Sequence, residues 1–274
     1  MTPLTDTPTW LFCPADRPDR YERALEACEV VIIDLEDAVA PAGKAAARAQ
    51  VVAAAPWNPA RTIVRINAPG TPASAADVEA LRDLGIETLM LPMASSPAQV
   101  EALEGFAVVA LCETAAGILA APQIAAAGNC VALTWGIEDL TLELGAHGRD
   151  PTGRLTAASA FARHAVRYGA AAAEVPAYDT VWAAIDDTDG LATEARSAAE
   201  AGFAGKLLVH PRQVRPVIDA FRPTDAEVRR AHEVVTAAAG ASGGAVALDG
   251  KMLDRPVVAR AERLLARAKR LERG

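Results

Sequence analysis

Short apolar runs rich in Val, Ile and Leu alternate along the chain with Ala-rich segments of helical character. The runs are continuous rather than interrupted by polar residues, which is typical of parallel strands covered on both faces. Eight such runs predict strands, at residues 10–14, 30–36, 62–67, 88–93, 108–113, 131–136, 174–179 and 206–210. The segments between them predict helices, at residues 19–27, 42–55, 75–84, 98–103, 156–173, 191–201 and 212–221.

This order of elements predicts an α/β fold, a (β/α)8 TIM barrel, because eight strand–helix repeats within ~250 residues are the layout of that barrel. A doubly wound sheet is the alternative, but no G-x-G-x-x-G turn follows any of the strands. We assign residues 1–221 to a barrel domain that carries the catalytic site.

Residues 222–274 exceed what eight repeats need. Their pattern predicts a helix at 226–239, a glycine-rich break at 240–244 and a last helix at 257–271 with basic residues near its end. We expect this C-terminal segment to be a helical lid on the barrel or an oligomerisation arm that reaches a neighbouring subunit.

The composition narrows the possible partners. The 274 residues carry 27 Lys and Arg against 35 Asp and Glu, a formal charge of −8, and only 4% of them are aromatic. A protein that binds nucleic acid needs a basic surface to neutralise phosphates, so we expect no nucleic-acid partner. The charge does not exclude a small anionic ligand held by a few local Arg or Lys side chains.

The sequence pattern predicts neither a membrane span nor a secretory signal. No segment approaches the ~18 consecutive apolar residues of a membrane span, and residues 1–8 lack the basic and apolar regions of a signal peptide. The four cysteines are scattered without a C-x-x-C pair. These features predict a reduced, cytoplasmic protein with no membrane partner.

Polar residues follow five of the eight predicted strands. They are Asp34, Glu36, Asp37, Arg65, Asn67, Glu113, Glu138, Asp139 and His210. Because the active groups of a barrel gather at the C-terminal ends of its strands, we expect these side chains to meet at one mouth. Carboxylates crowded there repel one another unless a cation lies among them, and oxygen ligands suit Mg²⁺. The alternative is that each carboxylate only caps a helix or lies in a solvated loop.

Other catalytic classes find little support. The sequence has no G-x-S-x-G elbow, no Walker A loop and no H-E-x-x-H pair. A Schiff-base aldolase needs a lysine at a strand end, whereas Lys206 starts its predicted strand and Met93 ends the fourth one. Covalent amine catalysis is therefore disfavoured.

Seven blocks in chain order resemble the citrate lyase beta-subunit-like branch of the HpcH/HpaI aldolase superfamily, which contains Mg²⁺-dependent carbon–carbon lyases acting on acyl-CoA thioesters. The blocks are WLFCPADRPDRYERAL (10–25), IIDLEDAVAPAGKAAAR (32–48), VRIN (64–67), ALCETAAGIL (110–119), TWGIEDLTLELG (134–145), GKLLVHPRQV (205–214) and LDGKMLDRP (248–256). The resemblance implies a TIM barrel, a Mg²⁺ cofactor, a coenzyme A thioester as substrate and a homotrimer.

The resemblance also implies roles for individual residues. Glu113 and Asp139 match the family's two metal ligands, and Arg65 matches the residue that binds the 2-oxo acid and stabilises the developing oxyanion. Glu36 and Asp37 match carboxylates that act through metal-bound water.

Further matches concern the acyl-CoA. Asp254 matches a carboxylate that enters from a neighbouring subunit and moves the proton at the acyl methyl group. The positions implied to contact coenzyme A are Phe12, Arg20, Arg23, Val209 and His210.

The sequence departs from the family at two positions. Met93 stands where similar proteins often have lysine, within a P-K-x-E motif whose acid is also missing here, and Ala116 stands where many have arginine. Both changes remove a cation near the expected mouth and put the acyl end of the substrate, or the affinity for coenzyme A, in question.

The function expected from this resemblance is the interconversion of a malyl-, citramalyl- or citryl-CoA-type thioester with acetyl-CoA, or a homologue, and a small 2-oxo acid such as oxaloacetate. One alternative is a metal-dependent aldolase that acts on free 4-hydroxy-2-oxo acids without coenzyme A. The other is a non-catalytic binding subunit like that of a citrate lyase complex.

Overall fold

Eight parallel strands close into a barrel in the order β1 to β8, with β8 pairing back onto β1. The structure is a computed structural model that describes residues 7–55, 57–240 and 246–271. The strands are β1 (Thr9–Pro14), β2 (Val30–Asp34), β3 (Thr62–Arg65), β4 (Thr88–Leu91), β5 (Ala107–Cys112), β6 (Cys130–Trp135), β7 (Ala177–Asp179) and β8 (Gly205–Leu208). The predicted TIM barrel is confirmed.

Helices follow the strands on the outside of the barrel and continue into the C-terminal segment. They are α1 (Tyr21–Ala27), α2 (Lys44–Ala53), α3 (Pro72–Leu81), α4 (Pro97–Glu101), α5 (Ala115–Leu119), α6 (Ala121–Ala125), α7 (Ile137–Leu144), α8 (Ala157–Ala172), α9 (Thr188–Glu200), α10 (Val214–Phe221), α11 (Asp225–Ala239) and α12 (Arg255–Leu271). The pattern did not predict α5, α6 and α7, which have five, five and eight residues.

The interior of the barrel is filled by apolar side chains from every strand. Trp10 and Tyr178 stack at its centre with their rings 3.6 Å apart, beside Ile32, Ile63 and Leu111. Side chains two positions apart on a strand share a face. The side chains at the carboxyl ends of β2, β3 and β5 therefore continue these inward-facing rows toward the mouth.

The C-terminal segment forms a second compact unit. Backbone contacts divide the chain into Met1–Val217 and Ile218–Gly274, and the predicted boundary after residue 221 stays a prediction. In the second unit α11 packs on α12, and a hairpin of β9 (Val246–Leu248) and β10 (Lys251–Leu253) lies between them in the sequence. Asp249 and Gly250 turn the hairpin with positive φ angles of 52° and 72°, as a two-residue turn requires.

Several sequence features fall at the edge of the described chain. Most of the predicted break at 240–244, and most of the N-terminal residues 1–8, lie outside the described residues. Within the described part, no helix has the length and apolarity needed to cross a bilayer. The four cysteines are buried free thiols.

Candidate active site

A cavity of about 400 Å³ opens at the C-terminal mouth of the barrel. Its wall includes Asp34, Arg65, Glu113 and Asp139, which come from the ends of β2, β3 and β5 and from the first turn of α7 after β6. These four residues are far apart in the sequence, and strand order brings them to one place. The position is the one where barrels carry their chemistry.

Arg65 is held by a buried carboxylate on the neighbouring strand. The register pairs it with Asp34, and its guanidinium donates two hydrogen bonds to that carboxylate, Nε to Oδ1 at 2.7 Å and Nη2 to Oδ2 at 2.6 Å. Burial opposes the charge of Arg65, but the hydrogen bonds and the surrounding carboxylates raise its pKa above the ordinary value. Arg65 is therefore a fixed cation at the mouth, with its guanidinium 4.8 Å from the centre of the Phe12 ring.

Two further predicted carboxylates lie against Arg65. Its Nη1 is 3.0 Å from Oε2 of Glu36 and 3.7 Å from Oδ2 of Asp37. The contact with Glu36 lacks hydrogen-bond geometry, which leaves that buried oxygen without a hydrogen-bond partner. Burial raises the pKa of Glu36 to about 8, although the charge of Arg65 acts in the opposite direction. Asp37 is exposed and lines the cavity, whereas Glu36 lies behind its wall.

Glu113 follows β5 directly and is almost completely buried, with 3% of its surface exposed. Its Oε1 accepts a hydrogen bond of 2.8 Å from the backbone N–H of Met93. Met93 has a φ of 52°, so its backbone takes the left-handed conformation that non-glycine residues rarely adopt. Burial raises the pKa of Glu113 to about 7; the charge of Asp139 also raises it, and the bond from Met93 lowers it.

Gly136 gives the Glu113 carboxylate its space. A Cβ atom on Gly136 would lie 2.5 Å from Glu113 Oε2 and 2.8 Å from Glu113 Cβ, closer than atoms can pack. Gly136 is also the residue that precedes α7, whose first turn contains Asp139. Gly136, the residue that follows β6, therefore helps to position both predicted metal ligands, Glu113 and Asp139.

The two predicted ligands fit a magnesium ion. Burial raises the pKa of Asp139, as it does that of Glu113, so both carboxylates are partly desolvated acids that favour a nearby cation. In the described part of the chain, no group of three His, Cys, Asp or Glu side chains forms a complete metal site. Two carboxylates with water and substrate completing the shell is a common arrangement for Mg²⁺.

The residues predicted to contact coenzyme A fall into two groups. Phe12 and Val209 line the cavity. Arg20 and Arg23 are exposed at the start of α1, and His210 accepts a hydrogen bond from the backbone N–H of Arg212 through Nδ1. Contact of these residues with coenzyme A stays a prediction.

Asp254 belongs to the second compact unit. Its Oδ1 accepts a hydrogen bond of 3.1 Å from the backbone N–H of Val257, which caps the start of α12. The carboxylate is exposed. Its predicted role at a neighbouring subunit's site stays a prediction.

Three features of the site were not assigned a role from the sequence. They are the Asp34 carboxylate that accepts two hydrogen bonds from Arg65, the backbone N–H of Met93, and Gly136. The inward orientation of Asp34 could have been predicted, because it lies two residues after inward-facing Ile32 and so faces the same side of β2. The roles of Gly136 and Met93 could not, because they depend on a neighbouring strand.

The closed barrel and its mouth of carboxylates around one arginine define a TIM-barrel protein with a site suited to a divalent cation. The chain belongs to the HpcH/HpaI aldolase/citrate lyase family, whose sequence pattern matches residues 9–211. The predicted family and its enzyme class, carbon–carbon lyases of the citrate lyase beta-subunit type, are confirmed.

Two relatives illustrate the range of the family. The chain is 44% identical over 262 residues to a citrate lyase subunit beta-like protein of Mycobacterium tuberculosis strain H37Rv, an alignment that covers 95% of each protein. It is 32% identical over 266 residues to a (3S)-malyl-CoA thioesterase of Cereibacter sphaeroides, covering 92% of each.

Solved structures agree with these matches. CitE of M. tuberculosis in complex with magnesium, acetoacetate and coenzyme A superposes with a TM-score of 0.91 at 44% identity, covering 96% of this chain and 98% of that one. The citrate lyase beta subunit from M. tuberculosis complexed with oxaloacetate and magnesium gives a TM-score of 0.79 at 45% identity, covering 81% and 100%. Magnesium and coenzyme A, the predicted cofactor and carrier, are thus bound by a similar protein.

Proposed function

We propose that this protein interconverts a hydroxy-carboxyacyl-CoA with acetyl-CoA, or a homologue, and a small 2-oxo acid in a Mg²⁺-dependent reaction. The observation that carries the proposal is the pair of desolvated carboxylates, Glu113 and Asp139, beside the clamped cation Arg65 in one cavity. The magnesium, oxaloacetate and coenzyme A bound by similar proteins support it. Malyl-, citramalyl- and citryl-CoA are the candidate thioesters.

The proposed reaction places negative charge on the former keto oxygen of the oxo acid. Magnesium held by Glu113 and Asp139 would supply a Lewis acid for that oxygen. Arg65 would bind the carboxylate of the oxo acid and stabilise the developing alkoxide. Because Asp34 already fixes the guanidinium, little reorganisation is needed during the reaction, and such prearranged charges are worth roughly 10²–10³ in rate.

The proton at the acyl group is assigned to Asp254. In synthesis its carboxylate accepts a proton from the methyl carbon of acetyl-CoA, and the resulting enolate carbon forms a bond to the keto carbon of the oxo acid. The keto oxygen becomes a hydroxyl with a proton from water, and Asp254 releases the proton it accepted to the solvent. In cleavage the steps reverse, and Asp254 returns the proton to the departing carbon.

Asp254 would act on a neighbouring subunit's site, so the proposal includes an oligomer, the homotrimer that the sequence resemblance implies. It also includes the division of the chain into a catalytic barrel, 1–221, and a C-terminal lid or oligomerisation segment, 222–274.

The remaining assignments concern binding. Glu36 and Asp37 would act through metal-bound water, since both lie beside Arg65. The exposed cations Arg20 and Arg23 would meet the phosphates of coenzyme A.

Phe12, Val209 and His210 would complete the coenzyme A contact. Phe12 and Val209 lie on the cavity wall, which supports a position for the acyl end of the thioester there. With Met93 and Ala116 in place of family cations, the phosphate contacts depend more heavily on the remaining arginines.

The test is a product assay on the purified full-length protein. Acetyl-CoA and propionyl-CoA are incubated with Mg²⁺ and one of glyoxylate, pyruvate or oxaloacetate, and new acyl-CoA species are identified by chromatography and mass spectrometry. We expect a hydroxy-carboxyacyl-CoA that disappears in metal-free buffer and in Glu113→Gln and Asp139→Asn. The control Glu101→Gln changes an exposed carboxylate on α4 and retains activity.

Two outcomes would reject the proposal. Cleavage of free 4-hydroxy-2-oxo acids without coenzyme A, with full activity in Asp254→Ala, identifies an aldolase. Normal Mg²⁺ binding without turnover of any pair identifies a non-catalytic binding subunit.

A further inference from the structure

A second cavity, of about 470 Å³, lies in the helical layer outside β7 and β8. The loop at 149–155, α8 and α9 form its walls, and it shares no lining residue with the cavity at the barrel mouth. Cavities of this size hold small organic molecules.

A buried series of alternating charges extends from the cavity wall into the protein. Arg163 on α8 donates to both oxygens of Asp179, Nε to Oδ1 at 3.2 Å and Nη2 to Oδ2 at 2.9 Å. Lys206 lies 3.7 Å from Asp179 and donates to Glu194 on α9 at 2.6 Å, and Glu194 in turn contacts Arg149. Burial acts to raise the pKa of Asp179, but Lys206 and Arg163 hold it below the ordinary value.

Both carboxylates in this series of charges are already paired with side chains of the protein. The carboxylate of Glu194 is shared between Lys206 and Arg149, and that of Asp179 is taken by Arg163, Lys206 and the indole N–H of Trp135 at 2.7 Å. Three cations therefore face two carboxylates, and the excess positive charge lies at the cavity end.

The cavity wall offers donors that the protein does not use. Arg149 lies over the Trp182 ring, with its guanidinium carbon 4.4 Å from the ring centre. Within the described residues, Nη2 of Arg149 and Nε1 of Trp182 are buried without hydrogen-bond partners. Both donor atoms are buried, and a buried donor without a partner is costly, so a small movement of either side chain toward an acceptor in the cavity is favourable.

The outer rim adds one further cation, Arg154. Arg154 and the imidazole of His164 line the cavity and are exposed to solvent. The nearby acids Asp150 and Asp187 lie outside the lining and serve local turns: Asp150 accepts from the backbone N–H of Arg154 at 3.0 Å, and Asp187 caps α9.

We propose that this cavity is a second binding site, separate from the catalytic one, for a small organic anion with two or more negatively charged oxygens. Arg149, Arg154 and the Trp182 indole N–H bind the anion, and the Ser197 hydroxyl on the cavity wall contacts its remaining polar atoms. Phosphate esters and polycarboxylates share this chemistry. The site does not depend on the proposed lyase activity.

The test is isothermal titration calorimetry on the full-length, metal-free protein at constant ionic strength. Inorganic pyrophosphate and citrate are the two arms that separate phosphate from carboxylate ligands, and acetate is the monovalent control. A chelating resin removes metal, because a soluble chelator is itself a polyanion. We expect pyrophosphate, citrate or both to bind, with a component of the binding that the cavity variants weaken, and no comparable binding of acetate.

Three variants assign that binding to the cavity. Arg154→Gln removes an exposed charge and is expected to weaken binding roughly tenfold to hundredfold. Trp182→Phe keeps the packing, removes one neutral donor and weakens binding about two- to tenfold. The control Arg82→Gln removes an exposed arginine elsewhere on the barrel unit and leaves the affinity unchanged.

The proposal is overturned if neither polyanion binds the wild-type protein, since the cavity then holds only solvent. It is also overturned if the affinity is equal in the wild type, Arg154→Gln and Trp182→Phe. Thermal unfolding of each variant confirms that the comparison is made on folded protein.

Discussion

Replacing Gly136 by alanine tests how the site holds its predicted metal ligand. The new Cβ would lie 2.5 Å from Oε2 of Glu113, whereas non-bonded heavy atoms are most favourable at about 3.5–4.0 Å. The Glu113 side chain must therefore move by about 1 Å. Because its Oε1 is fixed by the Met93 N–H, this movement also strains or breaks that hydrogen bond.

Two magnitudes follow from this displacement. A shift of about 1 Å in a catalytic group costs roughly 10²-fold in rate. Crowding a packed site costs about 1–3 kcal/mol of stability. We therefore expect Gly136→Ala to lose about two orders of magnitude in kcat/KM and to bind Mg²⁺ more weakly, while the barrel still folds.

The assay combines acyl-CoA product formation, Mg²⁺ titration calorimetry and thermal unfolding. Gly128→Ala is the matched control, because a Cβ at Gly128 meets no atom within 4 Å. Wild-type turnover and Mg²⁺ affinity in a folded Gly136→Ala would refute the packing argument for Glu113.

Three further predictions address the charges at the mouth. Asp34→Asn removes the carboxylate that accepts two hydrogen bonds from buried Arg65, while Glu36 and Asp37 still face the guanidinium, and we expect a loss of about 1.5–3 kcal/mol in the free energy of unfolding measured with denaturant. Asp19→Asn, at an exposed ion pair, should leave the midpoint unchanged, and equal midpoints for both variants would contradict the assignment. Arg65→Lys keeps the charge but cannot donate two parallel hydrogen bonds to Asp34, so kcat should fall roughly 10²–10³-fold in the product assay, and retained turnover would show that charge alone suffices. The pKa values of Glu36 and Glu113 rise from 4.5 in the reference state to about 8 and about 7 in the fold, so the folded protein binds more protons and its stability decreases as pH rises from about 4.5 to 8. Metal-free protein should accordingly melt at a lower temperature at pH 8 than at pH 6, and Mg²⁺ should restore part of the difference at pH 8. The affinity of the protein for Mg²⁺ should weaken below pH 7. A melting temperature of the metal-free protein that rises from pH 6 to pH 8 would reject the burial argument.

Much of the fold could be predicted because strand identity is a local property. Continuous apolar runs are required wherever a strand is covered on both faces, and all eight predicted runs overlap the observed strands. The prediction missed α5 and α6, although α4, which also has five residues, was predicted. Proline or threonine at the start of several helices adds local signals, such as the Thr156 cap of α8.

The candidate site was only partly predictable. Glu113 and Arg65 were identified because they end apolar strands, and a strand end in a barrel has one possible location. The hydrogen bonds between Arg65 and Asp34 were not identified from the sequence, because they depend on the register between β2 and β3. Likewise, nothing local to Gly136 indicates that the carboxylate of Glu113, from the adjacent strand, needs its space.

The sequence by itself therefore determined the number and order of strands and helices, the barrel, the family and the residue types at the mouth. Each of these depends on patterns within a few residues or on motifs in chain order. Only the tertiary structure decided which charges meet, such as Asp179 on β7 with Lys206 on β8, and which donors have no hydrogen-bond partner in the described residues, such as Nε1 of Trp182. The physical reason is that ion pairing, desolvation and steric exclusion act over a few ångströms in space, between residues that the chain separates by tens of positions.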